Sequence, residues 1–258
     1  MPSSAESELP VSPKGYALFD LDHTILPFDT QAFFCNFILH REGWRRIYLV
    51  WFLPCALLAA VKIFKLRTMK RIFSSYLVGM PEEKLHTYVD EFLKTEFSAA
   101  VYPEVIQEIE RNREEGRLMI LNSASPEFYV RKISNRLGFD HFLGTQMITD
   151  DPMPFLPDII GPNNKHGAKI TAMIEKEIIP PGDGPLPNSW AYSDSSADIP
   201  LLSHAEKGVM IHPGEVLAAK GQEMNWSTLT PDRPYHGKWG ASFTNLRQAL
   251  GLWPLAVK

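Results

Sequence analysis

Two aspartates two positions apart, Asp20 and Asp22, directly follow the apolar run Tyr16-Ala17-Leu18-Phe19. Carboxylates crowded into one turn at the end of a buried strand are costly unless a cation or a reaction uses them. A carboxylate is a weak nucleophile toward phosphorus until a divalent ion neutralises the incoming dianion, and Asp20 is the candidate for that role. Asp22 cannot share the direction of Asp20 while the chain stays extended, so the chain must turn and bring it over the site. There it is fit to protonate a leaving oxygen and then to activate water. Taken by itself, the segment also reads as a solvated acidic turn.

Three later segments supply what such a pair needs. Ser123 ends the apolar stretch 118–122 and precedes Ala124-Ser125-Pro126, where a hydroxyl and the amides of a helix N-terminus suit a phosphate oxygen; a plain helix cap is the alternative. Lys169 opens the periodic segment Ile170, Met173, Ile174, Ile178, which fixes the direction of its ammonium. Lys165, in a loop beside Asn163, Asn164 and His166, is the competing cation. Asp194 follows the apolar stretch 190–193, and Asp198 stands four residues on in Asp-Ser-Ser-Ala-Asp. Oxygen ligands there suit Mg²⁺, a hard ion that keeps waters and touches substrate phosphate. Asp198 is expected to bind the ion through water or to hold the catalytic lysine, unless it merely caps a helix.

The elements that must position these groups alternate strand and helix. Strands are expected at 16–20, 118–122, near 142–143, at 190–193 and at 209–211. They predict an α/β fold: a Rossmann-like, five-stranded parallel sheet with helices on both faces. A helical territory at 30–98 interrupts this rhythm, with Asp29 or Thr30 as its first cap and Pro81-Glu82-Glu83 opening a later helix. It reads as an inserted, all-helical cap. The expected division is a loose leader at 1–15, a discontinuous core at 16–29 and 99–226, the cap at 30–98 and an aromatic, proline-containing extension at 227–258. The stretches 150–164 and 180–188 carry the proline and turn formers of loops.

Residues 47–61 hold no charge and are flanked by Arg45, Arg46, Lys62, Lys65 and Arg67. As a helix they reach roughly 22 Å against about 30 Å of bilayer hydrocarbon, and Pro54 lies inside, which disfavours a transmembrane span. A cap helix buried against its neighbours is the simplest reading. A basic-rimmed surface that makes peripheral contact with a membrane, or accepts a lipid substrate, is the other.

Composition narrows the classes further. A chain of 258 residues, 45% hydrophobic and 22% charged, is a folded protein, and its net charge of -4 argues against nucleic acid as a partner. Cys35 and Cys55 sit in apolar sequence and are expected as reduced core residues. The first residues lack a basic n-region and an apolar h-region, so a cytoplasmic protein is expected, with attachment to the inner face of the membrane as the alternative.

The ordered set resembles the haloacid dehalogenase superfamily, in its phosphoserine-phosphatase-like branch with a helical cap after the first strand. The likeness runs over about residues 16–226 and includes Tyr102-Pro103-Glu104, Ser123-Ala124-Ser125-Pro126-Glu127-Phe128 and Tyr192-Ser193-Asp194-Ser195. It implies Asp20 as nucleophile, Asp22 as acid/base, Ser123 and Lys169 as phosphate ligands, and Thr24 and Asp198 in support. It also implies Mg²⁺ held by Asp20, the backbone carbonyl of Asp22 and Asp194, with an aspartyl-phosphate intermediate. Dehalogenase members lack the second acid, so its presence here favours phosphoryl transfer. The expected activity is a Mg²⁺-dependent phosphomonoesterase acting on a small phosphorylated metabolite such as phosphoserine. A lipid-phosphate phosphatase, a phosphotransferase and a silent membrane-surface binding module are the alternatives. The apolar run with basic flanks is similar to phosphatidylglycerophosphatase C-type proteins, and His23 departs from the family's common glycine.

Overall fold

The computed structural model describes residues 13–161, 167–182 and 184–256. The chain opens with β1 (Tyr16–Phe19) and enters a helical insertion of α1 (Thr30–Arg41), α2 (Leu49–Ala60), α3 (Leu66–Phe73), α4 (Glu82–Phe92) and α5 (Ser98–Ala100). The core then resumes as α6 (Pro103–Glu114), β2 (Leu118–Pro126), α7 (Glu127–Leu137), β3 (His141–Thr145), α8 (Ala168–Glu175) and β4 (Leu186–Ser193). It closes with α9 (Ile199–Ser203), β5 (Ala205–Ile211), α10 (Glu215–Met224), β6 (Ser227–Leu229) and α11 (Gly237–Ala249). Local chemistry sets several boundaries: the Asp29 side chain accepts from the Ala32 N–H at 2.9 Å and caps α1, and Pro103 begins α6 where its missing N–H is harmless.

Every strand pairing is parallel, in the order β3-β2-β1-β4-β5-β6. The five expected strands are present, and a sixth, Ser227–Leu229, adds to the far edge, so the start of the C-terminal extension belongs to the sheet. Alternation along the strands divides the core. Ala17, Phe19, Met119, Leu121 and Tyr192 pack toward α6 and α7, whereas Leu18, Ile120, Ala191 and Met210 pack toward α8, α9 and α10. Phe19 and Tyr192 stack across β1 and β4 with ring centres 4.1 Å apart. Since β2 and β3 lie on one side of β1 and β4 on the other, connections leave the carboxyl end of β1 in opposite directions. Open α/β sheets bind ligands at such a switch point.

The insertion is not uniformly packed. Helix α1 buries ten of its residues, from Thr30 to Leu39. By contrast α2 buries none: Val50 and Leu57 are 71% and 73% exposed. The expected burial of 47–61 is therefore corrected to burial of one face only: Tyr48 is buried and Leu49, Trp51 and Phe52 pack on the core, while the opposite face is exposed, with Cys35 buried and Cys55 on α2 half-buried. Among the described residues no helix is long and apolar enough to cross a membrane. The stretch 150–161 is free of helix and strand apart from one antiparallel bridge, Met147 to Ile159. The C-terminal segment fastens onto the insertion: α11 lies on α1, the Asn36 amide and the Trp253 backbone exchange bonds of 3.2 and 3.1 Å, and Arg46 donates to the Gly251 carbonyl at 2.9 Å.

Candidate active site

Asp20 leaves β1 at the switch point, its N–H bonded to the Tyr192 carbonyl at 3.0 Å, so it stands beside Asn122 of β2 and the end of β4. The turn after it requires His23 at φ +58, a left-handed conformation that glycine adopts freely and histidine accepts at a cost. Two contacts hold it there: the ring Nδ1 lies 3.0 Å from the Pro27 carbonyl and 3.0 Å from the Tyr235 hydroxyl. That accounts for a histidine at the family's glycine position. The turn sends Asp22 to the start of α1, where its Oδ1 accepts from the Thr30 N–H at 2.7 Å. An anion is favoured at that helix end.

Lys169 is 2% exposed and donates to Asp20 Oδ1 at 2.6 Å and to Asp198 Oδ2 at 2.8 Å. Its place in the first turn of α8 is fixed from below by Asn122 of β2, which donates to the Lys169 carbonyl at 3.1 Å, and by buried Met173. Asp198 also accepts from the Ser193 hydroxyl at 2.8 Å, so its carboxylate is held between that hydroxyl and the Lys169 ammonium. Lys165 lies outside the described residues. Thr24 bridges the two halves: its hydroxyl is 3.2 Å from Asp20 Oδ2 and 3.5 Å from Asp194 Oδ1, and it accepts from the Asp194 N–H at 3.1 Å.

Ser123 and Ser125 both come within reach of Asp22. Ser123 is wholly buried, its hydroxyl accepting from the Ser125 N–H at 3.0 Å and standing 3.5 Å from Asp22 Oδ2. Ser125 makes the short contact, donating to Asp22 Oδ2 at 2.6 Å, and it lines the cavity. The pairing of β2 with β3 shifts register between Asn122 and Pro126, which changes the face each residue presents. A second residue not foreseen is Lys70 of α3, whose ammonium donates to the Ala124 carbonyl at 2.5 Å and so brings the insertion onto the site. Ser125→Ala is expected to lower kcat on an aryl phosphate by about 10- to 100-fold through misorientation of Asp22. An unchanged kcat would leave Ser125 a structural residue.

Among the described residues, the cavity of about 440 Å³ is lined by five aspartates (20, 22, 29, 194 and 198) and two lysines, Lys70 and Lys169. The imbalance appears in their protonation. Burial, followed by Asp198, Asp194 and Asp22, pushes Asp20 up to about 7 against the opposing pull of Lys169. Burial, Asp198 and Asp22 likewise raise Asp194 to about 7. Burial works against the Lys169 ammonium, but Asp20 and Asp198 outweigh it and hold its pKa above the ordinary lysine value. Burial and then Asp22 raise Asp29.

Such a donor set fits Mg²⁺. Two neighbouring carboxylates that resist joint ionisation want a small divalent cation, and an ion that keeps its waters needs few protein ligands. No group of three or more His, Cys, Asp or Glu side chains among the described residues is placed to hold a metal ion by itself. An open site using two carboxylates and a carbonyl asks for none. The consequence for stability has a definite sign. Between the ordinary aspartate value of about 4 and about 7, the cation-free folded protein holds more protons than the unfolded chain, so its stability falls as pH rises. Mg²⁺ is therefore expected to raise Tm by about 5–10 °C at pH 8 when present at about a hundred times its Kd, and by little at pH 5. Equal shifts at both pH values, read by calorimetry, would place the ion elsewhere.

A parallel α/β core with a carboxylate site at its switch point, under a helical insertion, defines a class of capped hydrolases. The chain belongs to the haloacid dehalogenase-like hydrolase family, whose model matches residues 17–203. A probable phosphatase of Mycobacterium tuberculosis is 25% identical over 231 residues, covering 84% of this chain and 76% of that protein. A histidinol-phosphatase of Neisseria meningitidis is 22% identical, over 84% of this chain and 98% of its own. Among solved structures, a Bordetella pertussis protein of unknown function superposes with a TM-score of 0.69 at 19% identity, covering 83% of this chain and 97% of that one. A phosphoserine phosphatase carrying an analogue of the phospho-aspartyl intermediate gives 0.55 at 18% identity, over 86% and 95%. At these identities the superpositions speak for the fold.

Proposed function

We propose that this chain hydrolyses phosphomonoesters through a phosphorylated Asp20. The observation that carries the reading is the buried Asp20–Lys169–Asp198 triad, with Asp22 held across the same cavity by the Thr30 amide and the Ser125 hydroxyl. Asp20 attacks phosphorus with the oxygen not engaged by Lys169, and Asp22 delivers a proton to the departing alkoxide. Asp22, then a carboxylate, takes a proton from water, which attacks the phosphorus of the acyl phosphate and returns Asp20 and inorganic phosphate. Lys169 offsets charge on the transferring group, and Thr24 keeps Asp20 and Asp194 in register. Mg²⁺, held by Asp20, Asp194 and the Asp22 carbonyl, supplies the remaining positive charge when bound.

A small soluble ester such as phosphoserine is the first reading of the substrate. A lipid phosphate is the second, favoured by one observation: Phe52, Leu66, Met69 and Phe73 line the cavity on the side of the insertion. Purified protein is expected to turn over an aryl phosphate with Mg²⁺ and to stop with EDTA. Activity that survives chelation would remove the mechanism. A kinetic screen setting phosphoserine and other soluble monoesters beside a lipid phosphate in mixed micelles then separates the two substrate readings.

A further inference from the structure

The surface of α2 is apolar where a soluble helix is polar. Ile47, Val50, Leu53, Leu57, Leu58 and Val61 recur at three- and four-residue spacing, all between 41% and 73% exposed. Ile63 and Leu66 extend the patch at 61% and 56%. Monomeric soluble proteins rarely show one contiguous apolar patch beyond roughly 300–600 Å², and larger ones mark interaction sites.

Charge selects the partner. Residues 43–81 contain seven Lys and Arg and no Asp or Glu, in a chain whose net charge is -4. Arg45 and Arg71 are paired with Glu42 and Asp158, and Arg46 donates to backbone carbonyls. Arg67 donates to the Gly161 and Ile159 carbonyls, whereas Lys62 and Lys65 are exposed just past the end of α2. Apolar side chains rimmed by cations, on a helix about 18 Å long, suit a helix lying in the interface of a bilayer and too short to cross it.

We infer that α2 and the following basic turn dock this protein on an anionic lipid bilayer. The patch is also continuous with the catalytic cavity, since Leu66 belongs to both. Docking thus sets the cavity wall beside lipid headgroups, a consequence that rests on the phosphatase reading, whereas the docking itself does not.

The test is co-sedimentation of the full chain with phosphatidylcholine vesicles that contain or lack phosphatidylglycerol. Binding is expected only to the anionic vesicles and should weaken with salt. Leu53→Glu with Leu57→Glu should reduce it by at least about tenfold, leaving Tm and aryl phosphate turnover unchanged. Lys62→Gln with Lys65→Gln, which spares the helix, should weaken binding in proportion to the charge removed. Absence of binding to anionic vesicles overturns the inference, as does binding that both variants retain. So does a dimer, seen by sedimentation velocity and dissolved by the leucine substitutions, in a protein that ignores vesicles. Vesicle binding by a protein inert toward every phosphate ester would defeat the catalytic reading and leave docking intact.

Discussion

Asp20→Asn is expected to reduce kcat on an aryl phosphate by at least about 10⁴-fold while the protein stays folded. The amide nearly matches the carboxylate in shape, but its oxygen is a poor nucleophile and forms no acyl phosphate. Folding should survive because Lys169 keeps Asp198 at 2.8 Å, and because the substitution removes one of several crowded, buried carboxylates. Burial and its neighbours raise Asp20, so its ionised form weakens the cation-free fold at pH 8. The variant should therefore melt at the same temperature as the parent or higher without Mg²⁺, and gain less from adding it. Three measurements follow one substitution: turnover, melting temperature with and without Mg²⁺, and acid-stable labelling from a phosphate donor. Turnover within tenfold of the parent would assign the nucleophile elsewhere, whatever the other two showed.

The convergence of these residues was legible in the sequence because a parallel sheet turns linear order into a point. Asp20, Ser123 and Asp194 each close an apolar run, and three such runs paired side by side must bring their carboxyl ends together. Lys169 was legible from the helical period that follows it. What escaped depended on pairing that no residue type encodes. The irregular end of β2 gives Ser125, and not Ser123, the short bond to Asp22. Lys70 reaches the site from a helix separated from Ala124 by more than fifty residues, and within the sequence it reads as one more basic flank. The edge strand Ser227–Leu229 is three residues long and largely polar, below what alternation reveals. Helix α2 failed for a different reason. Hydrophobic periodicity reports that a surface avoids water, without saying whether the protein's own core or something outside it supplies the cover.

Lys169→Ala should be the next most damaging change, and it separates catalysis from structure through pH. The ammonium is buried between Asp20 and Asp198, and its charge is the main influence that lowers Asp20 against burial and three other carboxylates. Without it two effects follow. The transferring phosphoryl group loses a positive charge in a water-poor site, for which a fall in kcat/KM of about 10³-fold is expected. Asp20 also becomes harder to ionise, so the acid limb of the kcat/KM profile, which requires its carboxylate, should move to higher pH. Asp20 can stay protonated at low pH, and this limits the stability loss there. At higher pH it must ionise without its cation, and the variant's Tm should fall further below that of the parent. Lys169→Arg is a demanding control. It keeps the charge, but a planar guanidinium does not fit where one nitrogen meets Asp20 at 2.6 Å and Asp198 at 2.8 Å, so little activity should return. A uniform loss of rate with an unshifted acid limb would make Lys169 a phosphate ligand alone, uncoupled from the ionisation of the nucleophile.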